Sequence, residues 1–156
     1  PTLGTASALF DLASAAWLER LADALARDRL PLYTALTFDG ALLLSPAHRF
    51  DSAMITAFHT HQHTDKGFGP AAGPEAGRAL ADALTARGYR VDIAATPWHL
   101  TRETDAACIA AMLDGWTGAA TELGIDAASV RDWRTFHETA EHILVGHVDI
   151  VATPPA

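Results

Sequence analysis

A chain of 156 residues is about one domain and long enough to bury a core. Some 49% of it is hydrophobic, which excludes a disordered chain, and a formal net charge of −8 with no basic run argues against an extended nucleic-acid surface or an anionic membrane surface. A single cysteine, Cys108, excludes an intramolecular disulfide and makes a reducing, cytoplasmic setting the default, while no apolar run approaches the roughly 18 residues of a membrane span and no secretory signal is visible.

The opening stretch, PTLGTASALFDL, reads as the end of a strand running straight into a helix. Domains rarely begin that way, so the expectation is that these residues continue a longer protein. The spacing predicts a helix over 7–28, with Leu9, Leu12, Ala16, Leu21 and Leu25 near one face and Asp23 and Arg27 as an i, i+4 pair. Pro31 stops it and starts LPLYTALTF, an apolar run of the kind that forms a strand buried on both faces. Asp39-Gly40 is a tight-turn signal, with ALLLS as a short returning strand. After the loop PAHRF, Asp51 is suited to cap a helix that carries Met54, Ile55 and Phe58 inward.

DKGFGPAAG breaks that helix, and Pro74 opens another that ends near Arg87, with Gly88 as its stop. YRVDIAAT alternates as a strand does. Two helices follow. The first spans about 105–123, with Ile109, Leu113, Trp116 and Ala120 on one stripe. The second spans about 127–141, with Asp126 as cap and Val130, Trp133, His137 and Ala140 on one stripe. HILVGHVDIVAT closes the chain as a long strand. Strands alternating with helices imply an α/β sheet.

Residues 58–73, FHTHQHTDKGFGPAAG, hold the densest chemistry. His59 and His63 stand four apart on the predicted helix, a workable spacing for two zinc ligands, but Thr60 occupies the place of the glutamate that zinc proteases need, and the set falls short of a full ligand shell. The glycines do not match G-x-G-x-x-G, no G-K-[ST] follows, and a helix precedes them, so a flexible connection is favoured over a phosphate loop, with Gly67, Phe68 and Gly69 able to act as a lid. Cys108 reads as a packed helix residue. His147 and Asp149, two apart on the last strand, form either an acid–base pair or a hydrogen-bonded sheet face. Trp98 follows a strand end and a proline, where it either walls a pocket or caps the core. No G-x-S-x-G elbow surrounds Ser7, which reads as a helix N-terminal residue with free backbone N–H groups beside it.

TASALFDLASAAWLERL, LPLYTALTFDG, HQHTDKGFGPAAGPEAGRAL, GYRVDIAATPWHL and ILVGHVDIVA, in that order over nearly the whole chain, carry a resemblance. Together they resemble the C-terminal part of a class I S-adenosylmethionine-dependent methyltransferase, and a group of bacterial small-molecule methyltransferases has a similar DKGFG segment. The resemblance implies a partial Rossmann-like sheet of parallel strands plus an antiparallel C-terminal pair. Helices would lie on its faces, with a two-helix insertion before the last strand. The first block would be the family's fourth strand and LPLYTALTFDG its fifth (1–44), 45–73 an acceptor-side insert, and 74–156 the last helices and closing strands. The family's glycine-rich cofactor loop and ribose-holding acid lie upstream of the fourth strand and have no counterpart here.

The resemblance further implies S-adenosyl-L-methionine as cofactor and a small-molecule acceptor, while the charge already argues for no nucleic acid and no membrane. The segment after the fourth strand, with Thr5, Ala6, Ser7 and Leu9, would face the methionine end of the cofactor in the crevice at the strand ends. Phe10, His59, His63, Lys66, Phe68 and Trp98 would face the acceptor. His59 and His63 are candidates for a general base and Lys66 for pairing with an acceptor carboxylate. The open edge of the fourth strand would favour association, including a homodimer. A non-catalytic partner-binding module and, less favoured, a histidine-cluster metal protein are the competing readings.

Overall fold

A computed structural model of the protein describes residues 2–156. The strands are β1 (Gly4–Ser7), β2 (Leu32–Ser45), β3 (Arg90–Ala95), β4 (Trp98–Thr101) and β5 (His142–Thr153). The helices are α1 (Ala15–Asp28), α2 (Asp51–Gln62), α3 (Ala76–Ala86), α4 (Arg102–Glu122) and α5 (Ala127–His137), with short 3-10 turns at Phe10–Leu12 and Gly73–Glu75. The fold is α/β with a mixed sheet, and the chain divides into two compact units. The first comprises Pro1–Gly40, Gln62–Pro97 and Gly146–Ala156; the second comprises Ala41–His61 and Trp98–Val145.

In the first unit the strand order is β1-β2-β5-β3. β1 runs parallel to β2, from Gly4 opposite Leu32 to Ser7 opposite Ala35. β3 runs antiparallel to β5, from Arg90 opposite Thr153 to Ala95 opposite Val148. Leu18, Ala22 and Leu25 of α1 meet Leu80, Ala83 and Leu84 of α3 over Leu32, Ile150 and Ala152. Each such buried leucine contributes about 1.5–3 kcal/mol. A small residue sets how closely α3 approaches the sheet: a Cβ on Gly77 would lie 2.9 Å from Val148 Cγ2 of β5. Strand alternation sends Thr5, Tyr33 and Val151 to the other side, where all three are exposed. α1 and α3 thus lie on the opposite face of this unit's sheet from these three residues.

Four local expectations fail here. The first helix starts at Ala15, not Ser7. Ala8 takes a left-handed turn (φ 49°), Phe10 is buried, and Ser14, with extended backbone, accepts from Trp17 N at 3.2 Å as the true cap. Of the expected stripe, Leu25 is buried and Leu9 and Leu21 pack against the core; Leu18 and Ala22 join them, and Ala16 is exposed. Arg27 pairs with Asp28 rather than Asp23, and Asp23 instead receives Arg87 at 2.7 Å. Asp39-Gly40 makes no hairpin: β2 continues through it to Ser45, with Gly40 at φ 93° absorbing the irregularity. Nor is β2 buried on both faces, since its residues alternate and Tyr33 is exposed.

In the second unit α4 packs on α5, burying Ile109, Leu113, Trp116 and Ala120 with Val130 and Trp133, as the periodicity requires. Asp126 caps α5 by accepting from Ala128 N and Ser129 N at 3.1 and 3.0 Å. The helix ends at His137, short of the expected 141, and Ala140 is buried outside it. WHLT was not expected as a strand; as β4 it pairs antiparallel with β5, from Trp98 opposite Val145 to Thr101 opposite His142. Asp51 begins α2, which buries Met54 and Ala57.

Candidate functional site

Apart from Arg29, the left-handed residue that closes α1, the non-glycine residues with positive φ in the first unit lie in one place. Ala8, just past the carboxyl end of β1, has φ 49°, and Leu36 inside β2 has φ 58°. Neither is glycine, and such conformations persist only where the surroundings enforce them. The two are neighbours, because Ala8 N donates to Ala35 O at 3.1 Å. Around Leu36 the strand alternation slips by one. Thr34 and Thr37 are both buried, three apart, with hydroxyl oxygens 3.5 Å from each other. An extra residue in one strand has this signature, and such bulges gather beside functional sites.

Asp149 of β5 holds the bulge. Its Oδ1 accepts from Leu36 N at 3.1 Å and from the Thr96 hydroxyl at 2.8 Å, and its Oδ2 accepts from the Tyr33 hydroxyl at 3.2 Å. Burial pushes the Asp149 carboxyl up, but the bonds from Leu36, Thr96 and Tyr33 outweigh it and hold it below its ordinary value. The charge of Asp149 and its bond in turn push the Tyr33 phenol up. His147, two residues earlier, is 8% exposed and stacks edge-on against Phe38 at 6.3 Å. Asp11, in the 3-10 turn after β1, is half-buried. Burial raises its carboxyl above the ordinary 3.8, against the opposing pull of its own backbone N–H and of His147. The corner therefore combines exposed hydroxyls, small side chains at a strand end and a carboxyl with raised proton affinity.

The residues picked from sequence fall as follows. Thr5 and Ser7 are exposed on β1, while Ala6 and Leu9 pack against the core. Phe10 is 2% exposed, its surface taken up by packing that includes Trp17 at 6.2 Å. Phe68 is exposed and meets Trp17 edge-on at 5.7 Å. Lys66, the lone lysine, is half-buried in the same turn. In the second unit His59 is half-buried on α2, and Trp98 opens β4 partly exposed.

His63 lies beyond the end of α2, so the helical spacing that would put it on one face with His59 stops at Gln62. It turns instead to Ala71 O, 3.1 Å from Nδ1, and to Glu75, 3.6 Å from Nε2. The glycines serve the backbone. Asp65 Oδ1 accepts from Gly67 N and Gly69 N at 2.7 and 3.1 Å, Gly69 has φ 82°, and a Cβ there would lie 3.2 Å from Ser14 Oγ. Ala72 N donates to Ala13 O at 2.7 Å. The turn is thus fastened to the start of α1. Among the described residues no group of three or more His, Cys, Asp or Glu could hold a metal ion.

Sequence reading noticed His147 and Asp149 but missed Tyr33, Leu36, Thr96 and Asp11. The one signal for Asp11 was an acid inside the apolar stretch ALFDLA. No family model matches this chain, and no curated protein matches it. No described helix is long and apolar enough to cross a membrane.

Proposed function

We propose that the chain is the C-terminal part of an S-adenosylmethionine-dependent methyltransferase domain that acts on a small-molecule acceptor. The observation that supports this most is the topology of the first unit. Two parallel strands, β1 and β2, are linked through a helix, and the last strand, β5, lies between β2 and β3 and runs antiparallel to β3. This is the arrangement the resemblance implies for a fourth and fifth strand followed by an antiparallel closing pair. The strained corner at the carboxyl end of β1 stands where such folds bind ligands.

The residues fit one end of the cofactor. Ser7 and Thr5 offer exposed hydroxyls, and Ala6 and Ala8 leave room at the strand end. A glycine-rich loop after a strand, with a ribose-holding acid beyond it, is missing from the sequence, so the adenosine end would be held by residues other than these. The cofactor's sulfonium supplies an electrophilic methyl; the task of this chain is to place the acceptor against it. Asp11 is the group at the corner best suited to take a proton from an acceptor hydroxyl or ammonium.

A second reading, a non-catalytic module that associates with a partner, is favoured by one observation: β1 stands at the edge of the sheet order with alternating exposed residues. The coding DNA immediately upstream of the Pro1 codon tests the two. A strand and glycine-rich turn there, with an acidic residue about 20 positions on, is the result expected of a methyltransferase. A start codon directly before Pro1 would overturn that reading in favour of the module.

A further inference from the structure

The second unit contains a buried polar cluster that plays no part in the corner described above. His137, the last residue of α5, is 0% exposed. Its Nε2 lies 2.7 Å from Asp51 Oδ1 at the start of α2. The same Oδ1 accepts from Trp133 Nε1 at 2.7 Å, and Asp51 Oδ2 accepts from His48 N at 2.7 Å. One carboxylate therefore ties together the loop before α2, the first turn of α2 and two turns of α5. The other imidazole nitrogen of His137, Nδ1, is buried with no hydrogen-bond partner. Aromatic rings surround the imidazole, with centroids 4.7 Å (Trp133), 5.1 Å (Phe136) and 6.0 Å (His48) from its own.

We propose that Asp51, Trp133 and His137 form an acid-released clasp, closed while His137 is neutral and opened when a proton is placed on its Nδ1. In the closed state the Nε2 proton goes to Asp51, and Nδ1 needs no acceptor. A second proton creates a buried N–H with nothing to receive it, a state that costs more than the same protonation in water. The neighbouring charges do not repair this. Asp51 is already committed to three donors. His48 faces His137 from the loop before α2 and disfavours a charge on it. Asp132 of α5 lies 3.6 Å from His48 Nε2 and 2.8 Å from Arg49, so its charge is spent there. Glu138, next in sequence, pairs with Arg134 at 3.2 Å, and Arg134 also holds Asp114 of α4 at 2.9 Å.

The directions of titration agree with the geometry. Burial lowers the proton affinity of His137, His48 lowers it further, and Asp51 only partly restores it. The unfolded or opened state therefore binds more protons than the closed one as pH falls through the histidine range. The closed state is favoured above the ordinary value of 6.5 and loses its advantage below it. Opening would free the first turn of α2 from α5 without touching the first unit's core.

Hydrogen exchange read by NMR tests this on the 156-residue chain. The protection factor of the Trp133 indole N–H should fall about tenfold between about pH 7.5 and 5.5, while amides of α3 in the first unit keep theirs. In His137→Phe the Trp133 protection should be the same at both pH values. If that variant does not fold, His137→Gln, which keeps a donor toward Asp51 but cannot titrate, gives the same comparison. Equal Trp133 protection at both pH values in the wild type would overturn the clasp. So would an equal fall in the variant, or a parallel fall in the α3 amides.

Discussion

Replacing Asp149 with alanine removes one acceptor shared by Leu36 of β2, Tyr33 of β2 and Thr96 beyond β3. The Leu36 amide matters most. It is part-buried, it sits at φ 58°, and it loses a charged acceptor with no water able to replace it fully. A hydrogen bond of that kind contributes about 1.5–3 kcal/mol. The Tyr33 hydroxyl belongs to a side chain that is 41% exposed, so water takes over that bond at little cost. The net expectation is a loss of about 2 kcal/mol, or a fall in Tm of about 4–8 °C for a chain of this size. Urea unfolding followed by far-UV circular dichroism measures it. Asp149→Asn, which keeps an uncharged acceptor for Leu36 N, should lose about half as much, and Tyr33→Phe less than about 0.5 kcal/mol. The reasoning is refuted if Asp149→Ala lies within about 0.5 kcal/mol of the wild type, or if Tyr33→Phe costs as much as Asp149→Ala.

Three further outcomes are expected. Ser14→Ala should cost about 1 kcal/mol by uncapping α1, and the same urea titration checks it. Gly73→Ala forces a side chain into φ 58° with its Cβ 3.0 Å from the His63 ring, and should lower stability by about 1–2 kcal/mol by thermal unfolding. Stability should also fall in two separate stages on acidification. His137, whose folded-state affinity is depressed, withdraws its share below 6.5, whereas Asp51 and Asp149, also depressed, keep theirs until the pH falls from 3.8 through their lower folded values. Urea midpoints measured across that range should show both stages, with the upper one absent in His137→Phe.

Much of the fold was legible in the sequence because helical and strand periods report burial directly. The stripes Ile109-Leu113-Trp116 and Val130-Trp133 lie where their spacing puts them, and Asp126 and Gly88 mark real helix ends. What failed was local backbone geometry. Asp39-Gly40 carries a turn signal, yet continued strand pairing overrode it. Ser7 reads as the start of the first helix, whereas the cap is Ser14 and the turn between them buries Phe10. The corner was harder still. Tyr33, Leu36, Thr96 and Asp149 span more than a hundred residues, and nothing short of the strand register brings them together. A leucine in a left-handed conformation leaves no trace in sequence at all. The His-rich segment shows its chemistry in the sequence, but that its turn is fastened to α1 could be seen only in the fold.

We propose that the carboxyl end of β1 faces a methyl donor. Ultraviolet cross-linking of S-adenosyl-[methyl-³H]methionine to the complete gene product, followed by peptide mass spectrometry, tests it most directly. The account predicts label on the peptide carrying Thr5 to Asp11, competed away by unlabelled cofactor. No competable label, or label confined to peptides of α4 and α5, would contradict it.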